Sequence, residues 1–196
     1  MYIKKKAHAV FLDADGTLWD DIGPGGILSG ADQASRNLVM FSELQNKQYF
    51  KIIISNQTLA ARKHISYFRY RHFINKFFKN LIRQRLVTDF AICYHHPKAK
   101  NIFLRKKCDC RKPSPGLINI MIKKYNIDPL SSFFIGDRIT DIQAGAAAKI
   151  KNLLLLVNDK MLDVNENSST EPVLNLFFPL RDLKEFFQVE EIVIEN

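Results

Sequence analysis

Ala9-Val10-Phe11-Leu12-Asp13-Ala14-Asp15-Gly16-Thr17 is a short apolar run that ends abruptly in two carboxylates and a glycine. In an extended chain, residues two apart point to the same side, so Asp13 and Asp15 can converge at the end of a strand. Two carboxylates held together repel unless a cation or a proton lies between them. A hard divalent ion with oxygen ligands, Mg²⁺ above all, supplies that partner, and Gly16 lets the chain turn sharply. Taken alone, the stretch reads equally well as a strand that stops in a polar turn.

The rest of the chain decides between these readings. Apolar, β-prone runs at residues 9–12, 49–54, 90–94, 132–135 and 153–157 alternate with helical patterns at 32–46, 60–86, 115–125 and 140–148. Such alternation is the signature of βαβ units and predicts an α/β fold, a doubly wound, Rossmann-like parallel sheet with helices on both faces. Ser114-Pro115 opens the third helix as a cap followed by a first-turn proline. Residues 158–172 are polar and are expected to form a mobile loop, followed by a strand at 173–178 and a short helix at 180–187. With 196 residues the chain suits one domain spanning 1–196, and therefore one principal site.

Composition narrows the function classes. No uninterrupted apolar run reaches the ~20 residues of a membrane-spanning helix. The start, MYIKKKAHAVFLDADG, has a basic segment, but its apolar run is too short for a signal peptide and ends in carboxylates, so a cytoplasmic location is expected. Three cysteines cannot complete a disulfide framework, and all lie between Cys93 and Cys110, which points to a metal. The net charge of +9 attracts anions: phosphorylated metabolites, nucleic acid or acidic lipid. Many of the cations fall within residues 62–85, interleaved with Tyr67, Phe68, Tyr70, Phe73, Phe77 and Phe78. This pattern suits either a nucleic-acid surface or an amphipathic helix with solvated cations. The second is the simpler reading, with Ile65, Phe68, Phe77, Leu81 and Ile82 on the buried face.

A doubly wound sheet binds ligands at the carboxyl ends of its strands, and chemistry-bearing residues recur there. Ile52-Ile53-Ile54 delivers Ser55-Asn56-Gln57, whose hydroxyl and amides can donate hydrogen bonds to a phosphoryl group. Phe133-Phe134-Ile135 delivers Gly136-Asp137-Arg138-Ile139-Thr140-Asp141, a second pair of carboxylates at a strand-to-helix turn. Between them lies Arg111-Lys112-Pro113, two cations just before a helix start.

This ordered set, from Ala9 to Gly145, resembles the haloacid dehalogenase superfamily of phosphotransferases. The resemblance implies that Asp13 is the nucleophile that forms an aspartyl-phosphate, and that Asp15 protonates the leaving oxygen and then deprotonates water. It further implies that Ser55 binds the transferring phosphoryl group and Lys112 neutralises its charge. Mg²⁺ would be held by Asp13, the carbonyl of Asp15 and Asp137, with Asp141 behind them. An Asp nucleophile suits this chemistry only when cations screen two approaching anions.

Cys93-Tyr94-His95-His96-Pro97 and Cys108-Asp109-Cys110 place paired ligands at each end of a short loop, enough to close a tetrahedral Cys₃His zinc site with His95 as the better histidine. The loop resembles that of a subgroup without a large cap domain, which includes D-glycero-D-manno-heptose 1,7-bisphosphate phosphatase and histidinol-phosphate phosphatase. His95-His96-Pro97 and the loop length resemble the heptose enzyme, whereas the run from Gly136 to Gln143 resembles the histidinol enzyme. A sugar phosphate is the favoured substrate, because Asn56, Gln57 and Arg62 match the heptose enzyme's region near its second phosphate. Arg111 and Arg138 complete the expected substrate-binding set. A polynucleotide 3′-phosphatase is the alternative suggested by the basic charge, although it leaves the zinc loop unexplained. A non-catalytic module is disfavoured because every catalytic position holds a competent residue.

Overall fold

The computed structural model describes residues 6–19, 49–62, 65–157, 160–164 and 174–179. The expected helices at 32–46 and 180–187 lie outside these residues. Seven strands form one sheet in the order β3-β2-β1-β4-β5-β6-β7. They are β1 (His8–Leu12), β2 (Tyr49–Asn56), β3 (Asp89–Cys93), β4 (Phe133–Gly136), β5 (Asn152–Val157), β6 (Lys160–Val164) and β7 (Leu174–Pro179). The first five are mutually parallel, as expected.

The strands that read as continuous apolar runs are those buried on both faces. Val10, Leu12, Ile53, Phe133 and Ile135 face one core, which is covered by helix α2 (Tyr67–Arg83). Ala9, Phe11, Ile52, Ile54 and Phe134 face the other, covered by α3 (Gly116–Tyr125) and α4 (Ile139–Ala147). The alternation along each strand thus puts helices on both faces of the sheet. Helix α3 stops where Asn126 adopts a left-handed conformation (φ 52°), and its cap N–H bonds to Ile122 O.

Three expectations are corrected. The helix predicted over 60–86 is two: a single turn, α1 (Leu59–Arg62), then α2, which restarts at Ser66, whose side chain accepts a hydrogen bond from Arg69 N. That restart sets the phase of α2, so the buried stripe is Tyr70, Ile74, Phe78 and Leu81, and Phe68 is 78% exposed. The polar stretch 158–172, expected to be a mobile loop, contains β6, which pairs antiparallel with β5, and β7 pairs antiparallel with β6 in turn. Backbone hydrogen bonding to β5 outweighs the polar composition there. No helix among the described residues is long and apolar enough to cross a membrane.

Candidate active site and metal centre

Strand register assembles the site. Leu12 pairs with Ile53 on one side and Ile135 on the other, so the residues after each lie at one level. The sheet order changes direction at β1, and the crevice there receives Asp13 from β1, Ser55 from β2 and Asp137 from the end of β4. Asp13 N donates to Ile135 O at 2.9 Å, which ties the carboxylate to β4.

Lys112 is the hub. Its ammonium lies 2.5 Å from Asp13 Oδ1 and 2.7 Å from Asp141 Oδ1, and donates to Ile54 O at 2.9 Å. All three charged side chains are buried. Burial pushes Asp13 up to about 6 despite the opposing pull of Lys112. Asp141 is likewise raised to about 6, by burial and then by the charge of Asp13. Burial works against the Lys112 ammonium, but Asp13 and Asp141 outweigh it and raise its pKa. Asp137 is raised by burial and by Asp141. Asp13, Asp137 and Asp141 outnumber the Lys112 ammonium and the more exposed Arg138 guanidinium, which leaves a local excess of negative charge, the setting in which a cation binds.

Small residues permit this crowding. At Gly16 (φ +84°) a Cβ would collide with the Asp137 carboxylate, and at Gly136 it would meet Asp141 Cβ at 2.5 Å. Asp141 serves two elements: its Oδ2 accepts from Arg138 N at 3.0 Å, capping α4, while Oδ1 faces Lys112. One oxygen of each of Asp13, Asp137 and Asp141 lies within 4.8 Å of the others, and Asp137 Oδ1 is buried without a hydrogen-bond donor. A set of hard oxygens with an unsatisfied member fits a small dication such as Mg²⁺.

The two amides that follow Ser55 face protein groups. Asn56 grips the main chain of Lys112, donating to its O at 3.2 Å and accepting from its N at 3.2 Å. Gln57 is 4% exposed, and its Nε2 donates to Asp15 Oδ2 at 2.8 Å and Ser55 Oγ at 2.9 Å. The amides of Asn56 and Gln57, expected to face a phosphoryl group, make contacts that hold Lys112 and Asp15. Sequence reading also missed Trp19, whose Nε1 donates to Asp15 Oδ1 at 2.8 Å. Its spacing four residues after Asp15, in a chain with a single Trp, was the available signal.

Arg62 is exposed at the end of α1, with Nη2 3.3 Å from His96 Nε2. Arg111 is half-buried and donates to His95 O at 3.3 Å. Burial lowers its pKa, with Cys93 opposing the shift and Arg62 adding to it. Arg138 stands 3.6 Å from Asp137 Oδ2.

In the neighbouring loop, Cys93, His95, Cys108 and Cys110 bring their ligand atoms within 4.8 Å of one another. The sulfur separations are 3.1 Å (Cys108 to Cys110), 3.2 Å (Cys93 to Cys110) and 3.7 Å (Cys93 to Cys108), too long for disulfides. His95 Nδ1 is 3.2 Å from Cys110 Sγ, while His96 turns towards Arg62 and accepts from Lys98 N. Burial raises the pKa of Cys93, and neighbouring thiols reinforce it, so a thiolate there needs a cation. Three sulfurs and an imidazole at these separations fit tetrahedral zinc.

Residues 109–175 match the family described as HAD-hydrolase-like. Over 167 residues the chain is 32% identical to the D-glycero-β-D-manno-heptose-1,7-bisphosphate 7-phosphatase of Pasteurella multocida (strain Pm70), a match covering 85% of this chain and 90% of that protein. It is 33% identical over 153 residues to the D-glycero-α-D-manno-heptose-1,7-bisphosphate 7-phosphatase of Photorhabdus laumondii, covering 77% and 83%. Among solved structures, the D,D-heptose 1,7-bisphosphate phosphatase from B. bronchiseptica, complexed with magnesium and phosphate, shares the fold at a TM-score of 0.58. That match has 18% identity over 93% of this chain and 99% of the other.

Proposed function

The chain belongs to the haloacid dehalogenase-like phosphatase family that includes the D-glycero-manno-heptose-1,7-bisphosphate 7-phosphatases, and from this premise we propose that it is a Mg²⁺-dependent phosphatase of a sugar bisphosphate, acting through Asp13. The observation that carries the reading is the cluster of buried Asp13, Lys112 and Asp141 with half-buried Asp137 where the sheet order turns. In the first half-reaction an Asp13 oxygen bonds to phosphorus, the ester P–O bond breaks, and Asp15 gives its proton to the departing oxygen. In the second, a water oxygen bonds to phosphorus and passes a proton to Asp15. The bond between phosphorus and Asp13 then breaks, and inorganic phosphate and free carboxylate are restored. Lys112 and Ser55 bind the phosphoryl oxygens, whose charge redistributes during transfer. Asp13, the Asp15 carbonyl and Asp137, with Asp141 behind them, would hold Mg²⁺, which when bound would supply positive charge to offset the negative charge of the two anions.

Arg111, half-buried and one residue before Lys112, suits the second phosphate of a bisphosphate, with Arg62 and Arg138 as further candidate cations. The relatives' names support a heptose 1,7-bisphosphate over histidinol phosphate. Cys93, His95, Cys108 and Cys110 would hold a structural zinc, which would stabilise the loop spanning residues 93–110. The match to the Pasteurella enzyme spans 85% of this chain and 90% of that protein, which supports reading the chain as a single phosphatase unit acting on a small phosphorylated sugar.

The test is phosphate release, with Mg²⁺, from a panel holding both anomers of the heptose bisphosphate, other sugar phosphates, histidinol phosphate and a 3′-phosphorylated oligonucleotide. A sugar bisphosphate is expected to be turned over fastest. Preference for histidinol phosphate or the oligonucleotide would overturn the substrate, and no release from any ester would overturn the reaction.

A further inference from the structure

Asp15 is gripped by buried side chains that the reaction above does not use. Its Oδ1 accepts from the Trp19 indole at 2.8 Å and its Oδ2 from Gln57 Nε2 at 2.8 Å. Gln57 Oε1 in turn accepts from the Tyr70 hydroxyl at 2.6 Å. These donors come from three places: the turn after β1, the end of β2 and the first turns of α2. Each is locked by packing. Trp19 is 1% exposed and meets Phe77 edge-on at 5.7 Å and Phe78 at 6.2 Å. Tyr70 is buried edge-on against Tyr94. The turn that returns Trp19 to Asp15 is closed by Gly16 N donating to Trp19 O at 2.7 Å and Leu18 N to Ala14 O at 2.8 Å.

We propose that Trp19, Gln57 and Tyr70 are positioning residues that aim the Asp15 carboxyl group, Trp19 and Gln57 by direct donation and Tyr70 by fixing which end of the Gln57 amide faces it. The proposal rests on the acid–base role given to Asp15 above. An aspartate at a strand end can rotate about both side-chain torsions, and proton transfer requires its oxygen within hydrogen-bond reach of the reacting oxygen. The same carboxyl group must meet the leaving oxygen in one half-reaction and water in the next, so a preset direction serves both. The Gln57 amide could in principle present either end. With Tyr70 donating to Oε1, the amide N–H faces Asp15, whereas a flipped amide would set a carbonyl against a carboxylate. Burial, with the charge of Asp15, raises the Tyr70 pKa and so keeps its hydroxyl a donor.

The experiment measures kcat/KM for Trp19→Phe, Gln57→Met and Tyr70→Phe on p-nitrophenyl phosphate and on the sugar phosphate hydrolysed fastest in the panel. Nitrophenolate departs without a proton, whereas a sugar alkoxide needs one, and kcat/KM reads the steps up to phosphoryl transfer. Each variant is expected to lose about tenfold or more on the sugar phosphate, and several-fold less on the aryl ester, out of the ~10²–10⁴-fold that proton transfer contributes. Asp15→Asn should show the same selectivity more strongly. If Asp15→Asn harms both substrates equally, the acid role of Asp15 is overturned. If it is selective and the three variants are not, the positioning proposal is overturned and the acid role stands. Tyr70→Phe removes one oxygen and keeps the ring, so equal losses on both substrates with a lowered Tm would mark a merely structural role. Trp19 is the sole tryptophan, so its emission reports the contact directly. A shift in Asp15→Asn is expected, and an unchanged spectrum would overturn the Trp19 arm.

Discussion

Replacing Asp13 by asparagine keeps the size of the side chain and removes its charge and nucleophilicity. Phosphate release by Asp13→Asn is expected to fall below detection with the fold intact by circular dichroism, and turnover at a sizeable fraction of wild type would sink the aspartyl-phosphate route. Lys112 and Arg111 are adjacent in the chain, yet the proposed reaction assigns them different tasks. Lys112 contacts Asp13 and Asp141 in the buried cluster, so Lys112→Ala is expected to lower kcat by about 10²-fold or more on every phosphomonoester. Arg111→Ala removes a half-buried guanidinium one residue away, and should raise KM for a bisphosphate about tenfold with little change in kcat. Equal damage by Arg111→Ala to a bisphosphate and to p-nitrophenyl phosphate would remove the second-phosphate assignment.

Helix α2 carries its energetics on one side. Phe78 is fully buried between Trp19 and Phe90, its ring 5.1 Å from that of Phe90, so Phe78→Ala is expected to cost about 3–5 kcal/mol by chemical denaturation. Phe68, on the solvent side of the same helix, should tolerate Phe68→Ser within about 0.5 kcal/mol. A comparable loss at both positions would contradict the phase set by Ser66. At the sheet edge, Asp89 of β3 accepts from Lys124 Nζ at 2.5 Å and Tyr125 OH at 2.9 Å, tying the strand to the end of α3. Burial works to raise the Asp89 pKa, but these donors and Phe90 N outweigh it, so the folded value lies below the ordinary one. The folded state therefore binds this proton less readily than the unfolded state. The stabilisation is present above the unfolded pKa and is lost as pH falls through the lower, folded value. Asp89→Asn is expected to cost about 1 kcal/mol at pH 7 after solvent screening, and the gap to wild type should close as pH drops below about 4. A gap that persists unchanged in acid would exclude the ion pair as its origin.

At the scale of the molecule, two metals of different chemistry should sit side by side. The thiolate and imidazole cluster favours zinc, and the carboxylate cluster favours magnesium, so purified unchelated protein should carry about one zinc per chain while magnesium exchanges freely. Stripping the zinc with a strong chelator is expected to lower Tm, and magnesium alone should not restore it, since the loop spanning residues 93–110 would lose its only closed ligand set among the described residues. Absence of zinc by elemental analysis would remove that centre. The net charge of +9 adds a long-range attraction for phosphorylated ligands, so KM for a bisphosphate should rise with ionic strength.

The amino-acid sequence by itself determined which segments form the parallel strands and which residues follow them, because both are written in short-range patterns. Runs such as Ile52-Ile53-Ile54 mark strands buried on both faces, and the spacing of Cys93, His95, Cys108 and Cys110 marks a ligand set. Tertiary structure alone decided what each polar group does at close range. The sequence offers Asn56 and Gln57 as hydrogen-bond donors without naming their protein partners, which are Lys112, 56 residues on from Asn56, and Asp15, 42 residues before Gln57. Trp19 meets Asp15 only because the turn after β1 folds it back on that carboxylate. The antiparallel strand β6 was hidden for a related reason: its pairing with β5 joins backbone groups whatever the side chains are. Local periodicity reports which residues prefer the interior, whereas a hydrogen-bond partner is chosen by sheet register and helix phase, and those are fixed only when the whole chain is packed.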